Sequence, residues 1–185
     1  MAESTCIVIF HGPGSSGSEL RCYLDNVPLE DFEFRTFSQV AQSLSIDVVT
    51  PTAKPRSYAV IGGERCNVWA DRSPDFMKLG LEGMVDKSGI DATLNEIAVD
   101  LDHLQKEHSH VFIGGFDMGG ELALNLLRSC HQAVPGGIFA VGSFLVDCSP
   151  VFSERIKKSV PVLMMHGKGR NALHCISVCV YMLMY

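Results

Sequence analysis

Positive charge is in short supply. The chain carries 15 Lys and Arg against 21 Asp and Glu, a formal net charge of −6. Its basic residues are scattered, with no stripe and no interleaved aromatics, so nucleic acid is not an expected partner. No apolar run reaches the ~20 residues of a membrane-spanning helix; the nearest approach, Ala172 to Tyr185, is too short. Met1-Ala2-Glu3-Ser4-Thr5 leads straight into apolar residues, without the cationic start and cleavage site of a secretory signal, and Ala2 excludes N-myristoylation. The seven cysteines are odd in number and irregularly spaced, which argues against a disulfide framework and for reduced thiols in the cytoplasm. Cys6, Cys66, Cys130 and Cys148 read as small core residues. Internal repeats and low-complexity tracts are also lacking.

What is present suits one globular domain: 185 residues, 46% of them hydrophobic. Strand and helix signals alternate, which predicts an α/β architecture with a mostly parallel sheet and helices on both faces. Strands are expected at Cys6 to Phe10, Ile46 to Thr50, His110 to Phe116, Gly137 to Phe144 and Val160 to Met165. Helices are expected at Ser18 to Asn26, in part of Phe32 to Ser43, at Ser88 to Glu107 with Ser88 as cap, and at Gly119 to His131. The Ser88 helix carries the clearest period: Ile90, Leu94, Ile97, Leu101 and Leu104 fall on one face. Pro51 to Lys87 holds most of the Pro and Gly punctuation and reads as a long ordered loop.

The most informative segment is Gly115-Phe116-Asp117-Met118-Gly119-Gly120, between a strand and a helix. Its glycines permit a sharp strand-to-helix turn that lifts one side chain above the sheet edge. That is the frame of a nucleophile elbow, with Asp117 where a Ser would stand. Four further motifs accompany it in order: His11-Gly-Pro-Gly-Ser-Ser-Gly17, Pro51-Thr-Ala-Lys-Pro-Arg-Ser-Tyr58, Asn67-Val-Trp-Ala-Asp-Arg72 and Val162-Leu-Met-Met-His-Gly167. Over residues 5 to 167 the chain thereby resembles the acyl-protein thioesterase and carboxylesterase family, and within it the lysophospholipase-like branch.

The resemblance implies an α/β-hydrolase fold over residues 1–167, with 168–185 a divergent tail. It implies a cytoplasmic serine hydrolase acting on small acyl esters or acylated proteins, with no cofactor. The site residues it implies are Asp117 at the nucleophile position, the Met118 backbone N–H and position 13 as oxyanion donors, and His11, Gly12 and Trp69 at the substrate. Trp69 reads equally as a packing anchor for the long loop.

The same comparison exposes faults. Acyl transfer to Asp117 would give a mixed anhydride, and its charge sits where the tetrahedral oxyanion would form. Two unit charges about 4 Å apart repel by ~4 kcal/mol at an effective dielectric near 20, comparable to what one oxyanion donor contributes. Pro13 has no N–H to donate. His166-Gly167-Lys168-Gly169-Arg170-Asn171 offers no carboxylate where the family's orienting Asp is expected, and the family's base is expected beyond residue 185. The chain is therefore expected to be inactive. The alternatives are an Asp-nucleophile hydrolase of the dehalogenase or epoxide hydrolase type, and a non-catalytic acyl-binding or interaction protein.

Metal sites are not expected: His103, His108 and His110 contain no i, i+4 pair, and His174, Cys175 and Cys179 lack a fourth ligand. The run Met164, Met165, Met182 and Met184 reads as core filling, and Ile176 to Tyr185 as a patch for an otherwise open sheet edge. Because triad members act as a unit, Asp117→Ser alone should restore no family-like ester hydrolysis; robust turnover by that single variant would refute the reading.

Overall fold

The computed structural model describes residues 4–75, 86–126, 136–143, 160–166 and 181–182. Apolar, β-branched runs form its strands: β1 (Thr5–Phe10), β2 (Ile46–Val49), β5 (His110–Phe116), β6 (Gly137–Val141) and β7 (Val162–Met165). They pair in parallel in the order β2-β1-β5-β6-β7, and β8 (Tyr181–Met182) adds to β7 antiparallel. The tail thus contributes a short edge strand, with Leu163 opposite Met182 and Met164 opposite Tyr181.

Alternation along β1 explains how both faces are covered. Cys6, Val8 and Phe10 point into one core with Val111, Ile113, Ile138 and the helices α3 (Lys87–Glu107) and α4 (Met118–Leu126). Ile7 and Ile9 point the other way, against Leu20 and Leu24 of α1 (Gly17–Asn26). The Ser16 hydroxyl accepts the Glu19 N–H and caps α1; Thr36 and Gln39 form a capping box on α2 (Phe37–Ser43). On α3, Ile90, Leu94 and Leu101 are buried, with Ile97 and Leu104 packed against them.

Two local expectations need correction. The stretch after Pro51 is not loop throughout: β3 (Pro55–Tyr58) and β4 (Glu64–Asn67) form a separate antiparallel hairpin. Pro55 and the Gly62-Gly63 pair mask it, although two glycines with positive φ, 75° and 88°, are what its turn needs. Second, Ser88 is not the cap of α3. Asp86 holds that position, and Ser88, inside the first turn, donates its hydroxyl to Asp86 Oδ1 at 2.6 Å. The expected helical residues beyond Leu126, the 167/168 domain boundary, Cys130, Cys148, His174, Cys175, Cys179 and Met184 lie outside the described residues.

The strand-to-helix junction after β5 depends on close backbone approach. A Cβ on Gly119 would collide with the Phe10 carbonyl and lie 2.7 Å from the His11 carbonyl oxygen. Gly119→Ala should therefore cost about 1–3 kcal/mol, read as a lower urea midpoint. Gly136→Ala, whose added Cβ would meet nothing nearer than the Val111 carbonyl oxygen at 3.6 Å, should stay within about 0.5 kcal/mol of the parent.

Candidate active site

Two loops at the carboxyl ends of β1 and β5 build the site. After Phe10 the chain turns at His11, which is 1% exposed. The His11 Nε2 accepts the Ala53 N–H at 3.0 Å, which leaves the proton on Nδ1 for the Gly12 carbonyl at 2.6 Å. This arrangement needs a neutral imidazole, and burial pushes the His11 pKa below its ordinary 6.5, against the opposing pull of the Gly12 carbonyl. Trp69 Nε1–H donates to the His11 carbonyl at 2.9 Å, and its ring lies 5.0 Å from the imidazole and 5.1 Å, edge-on, from Phe10. The Gly14 N–H donates to the Asn67 carbonyl, so the first loop is fastened to the end of β4.

The elbow itself is bent as its glycines require. Asp117 has φ +48°, a left-handed conformation strained for a residue with a Cβ. It is held by its N–H donating to the Val141 carbonyl at 2.9 Å and its carbonyl accepting the Glu121 N–H at 3.0 Å. The first loop comes close: a Cβ on Gly12 would lie 3.8 Å from that of Asp117. Met118 begins α4, so its N–H has no acceptor within the helix. Pro13 supplies no second donor.

Behind Asp117 lies a buried charge cluster. The Arg72 side chain is 3% exposed and forks between two carboxylates. Nη1–H donates to Asp117 Oδ1 at 2.9 Å and Nη2–H to Glu121 Oε2 at 2.8 Å. The Glu121 side chain is 1% exposed, whereas that of Asp117 is 49% exposed. The Glu121 Oε1 atom is buried without a hydrogen-bond partner among the described residues. Burial pulls the Arg72 pKa down, but Glu121 and then Asp117 more than offset it, so the guanidinium stays charged. Burial raises the Glu121 pKa, with Arg72 working in the opposite direction. Asp71 fixes the approach of Arg72: its Oδ1 accepts both the Ala59 and the Arg72 N–H at 2.8 Å. Tyr58, 6% exposed, completes the wall.

Asp117, Met118, Gly12 and Pro13 are thus brought together. His11 and Trp69, expected at the substrate, are buried, and their described hydrogen bonds are internal and brace the first loop. His166 is directed elsewhere, its Nε2 meeting the Ser143 carbonyl. Sequence reasoning passed over Arg72 and Glu121 as chemistry. A signal existed: Glu121 is four residues from Asp117, in the first turn of a mostly apolar helix, and two acids stacked on one turn call for a cation.

These features meet a single set of relatives. Over residues 1–175 the chain matches the phospholipase/carboxylesterase family. The chain belongs to that family. It is 29% identical over 175 residues to mouse lysophospholipase-like protein 1, covering 91% of this chain and 67% of that protein. It is 24% identical over 169 residues to acyl-protein thioesterase 1 homolog 1 of Dictyostelium discoideum, covering 89% and 68%. Among solved structures, Arabidopsis thaliana SOBER1 superposes with a TM-score of 0.68 at 21% identity, over 89% of this chain and 74% of that one. Zea mays acyl-protein thioesterase 2 gives 0.66 at 22%, over 91% and 73%. The superpositions show the α/β-hydrolase fold, and the family is one of thioesterase- and carboxylesterase-type hydrolases.

Removing Arg72 should leave Glu121 buried and uncompensated. Arg72→Ala should cost about 3–5 kcal/mol near neutral pH. Because burial raises the Glu121 pKa in the folded state, proton uptake there favours the folded form. The deficit should narrow as pH falls toward ~5 and widen as pH rises. Urea denaturation of both proteins across that range reads it directly.

Proposed function

We propose that this family member keeps the acyl-ester and acyl-thioester binding role of its fold in the cytoplasm without performing serine-type acyl transfer. The observation that carries the reading is the Asp117–Arg72 ion pair at the elbow tip, 2.9 Å long. A hydrolase of this type needs a neutral nucleophile that an adjacent base deprotonates as it attacks. Here the position holds an anion that shares one buried cation with Glu121. Its charge opposes the developing oxyanion, and Pro13 withdraws one of the two backbone donors that would stabilise it. The free thiols of Cys6, Cys22 and Cys66 accord with a reducing compartment. Among the described residues no helix is long and apolar enough to cross a membrane. The ligand class follows from the relatives: an acyl ester or an acylated protein, held over the elbow between Gly12 and Asp117.

The test is hydrolysis of a short-chain chromogenic ester by a monodisperse sample, with Asp117→Ala in parallel and calorimetric titration of a non-hydrolysable acyl thioether. The expected result is ester turnover no greater than that of the variant, together with saturable binding of the thioether. Turnover abolished by Asp117→Ala would instead make Asp117 a nucleophile and overturn the proposal.

A further inference from the structure

The loop joining α1 to α2 holds two aromatic rings outside the core on a strained backbone. Pro28 bridges Thr36 antiparallel, and the Leu29 N–H donates to the Arg35 carbonyl at 2.9 Å, so the loop is closed at its base. Within it Glu30–Phe32 forms one 3-10 turn. Glu33 and Phe34 follow in the left-handed conformation, with φ 55° and 59°, which is unfavourable for a residue with a Cβ and rare for a bulky one. Burial does not offset that strain: Phe34 is 70% exposed and Phe32 47%. Phe37, at the start of α2, instead packs against the core formed with Leu20 and Leu24. Closed surface loops of this kind are frequently functional, and exposed aromatic rings are the side chains that anchor interfaces.

We propose that residues 29–35 dock on a basic amphipathic helix of a partner protein. Phe32 and Phe34 would meet its apolar face, and Glu30, Asp31 and Glu33 the Lys and Arg residues that flank that face.

Charge selects this partner. Glu30, Asp31 and Glu33 are exposed, and among the described residues none of them enters an ion pair. From residue 1 to residue 53 the only Lys or Arg residues are Arg21 and Arg35. Arg21 is paired with Asp25. Arg35 is drawn back onto its own loop and α2, its Nε–H donating to the Phe32 carbonyl and its Nη1–H to the Ser43 hydroxyl, both at 3.4 Å. A loop this short spans little more than the Debye length of ~8–10 Å, so its acidic surplus acts at both rings whichever way each carboxylate turns.

Other occupants fit less well. The loop closes on its own backbone, with the Phe32 N–H on the Leu29 carbonyl and the Arg35 N–H on the Phe32 carbonyl, which leaves no ladder for an added strand. Glu33 stands between the two Phe residues, so seating both rings in lipid would carry a carboxylate into an apolar layer, and anionic headgroups would repel it. A second copy would bring the same acids together.

The probe is a fluorescein-labelled, amidated peptide of leucine and lysine, about four helical turns long with leucine at helical spacing, titrated by anisotropy into the full chain. Saturable binding below about 100 μM is expected, and none for the same pattern in leucine and glutamate. Phe34→Gly removes a ring and relieves the left-handed backbone. It should weaken binding about tenfold yet raise the urea midpoint, a pair of shifts that a packing role for Phe34 does not produce. Phe32→Ser should weaken binding likewise. Glu33→Gln should weaken it about threefold, and more at lower salt, whereas Asp100→Asn, the same loss of charge on α3 across the sheet, should leave it unchanged. No saturation up to about 1 mM, binding indifferent to Phe34→Gly, or equal losses from Glu33→Gln and Asp100→Asn would overturn the proposal. Co-sedimentation with phosphatidylcholine vesicles, pure or with about 25% phosphatidylserine, that Phe34→Gly abolishes would assign the loop to a membrane and overturn it. A dimer in sedimentation equilibrium that Phe34→Gly dissolves would assign it to a second copy, with the same consequence.

Discussion

One buried guanidinium holds the elbow region together. Arg72 arrives from the segment after β4, yet Asp117 and Glu121, to which its guanidinium donates, stand one helical turn apart at the junction of β5 and α4. The contact therefore joins segments 45 and 49 residues apart and fixes how the excursion from Pro51 lies over the sheet. Its energetics are asymmetric. Assembling such a cluster yields little net stability because the Arg72 and Glu121 charges lose water, while removing the cation leaves an uncompensated charge in low dielectric. Position 117 and position 121 are consequently coupled through Arg72, and a change of charge at either alters the balance felt by the other. Asp117 is an acid that the surroundings accommodate.

The geometry around that cluster comes from backbone proximity. At Gly115 and Gly119 an added Cβ would run into the Phe10 carbonyl, and at Gly120 into the Ser143 hydroxyl. These absences let α4 start close against the end of β1, which in turn brings Gly12 beside Asp117. His11 then ties the first loop to Ala53 and Trp69, so the loop's position is set by two segments at once. Protonating this imidazole would break the bond from Ala53, which is why its burial in neutral form matters to the loop's shape.

Local patterns made much of this legible. The strands of the main sheet announce themselves as short apolar runs ending in glycine or proline, and α3 by its period. The elbow could be read because its glycines are consecutive in sequence with the residue they serve. The β3–β4 hairpin was hidden, since Arg56, Ser57, Glu64 and Arg65 lack apolar alternation; it is held by cross-strand pairing and by the Ser57 hydroxyl on the Gly63 carbonyl. Arg72 and Glu121 were opaque for a different reason. A charged residue in a motif reads as solvated by default, and only three-dimensional pairing reveals that this one is buried between two acids. Trp69 shows the converse: a residue type often seen at binding surfaces is here 3% exposed and used for packing.

The charge count at the elbow carries an implication about what the site tolerates. Two carboxylates share one guanidinium, and the outer carboxylate is half exposed. An ester or thioester is neutral and meets no net repulsion there. A free acyl carboxylate is an anion, and about 4 Å from Asp117 it would be opposed by several kcal/mol at an effective dielectric near 20. In a working hydrolase that difference would assist product departure. Were an acyl ester the ligand of this chain, the Asp117 charge would favour it over the free acid. That preference would follow from the charges of Asp117, Glu121 and Arg72 and not from the acyl group.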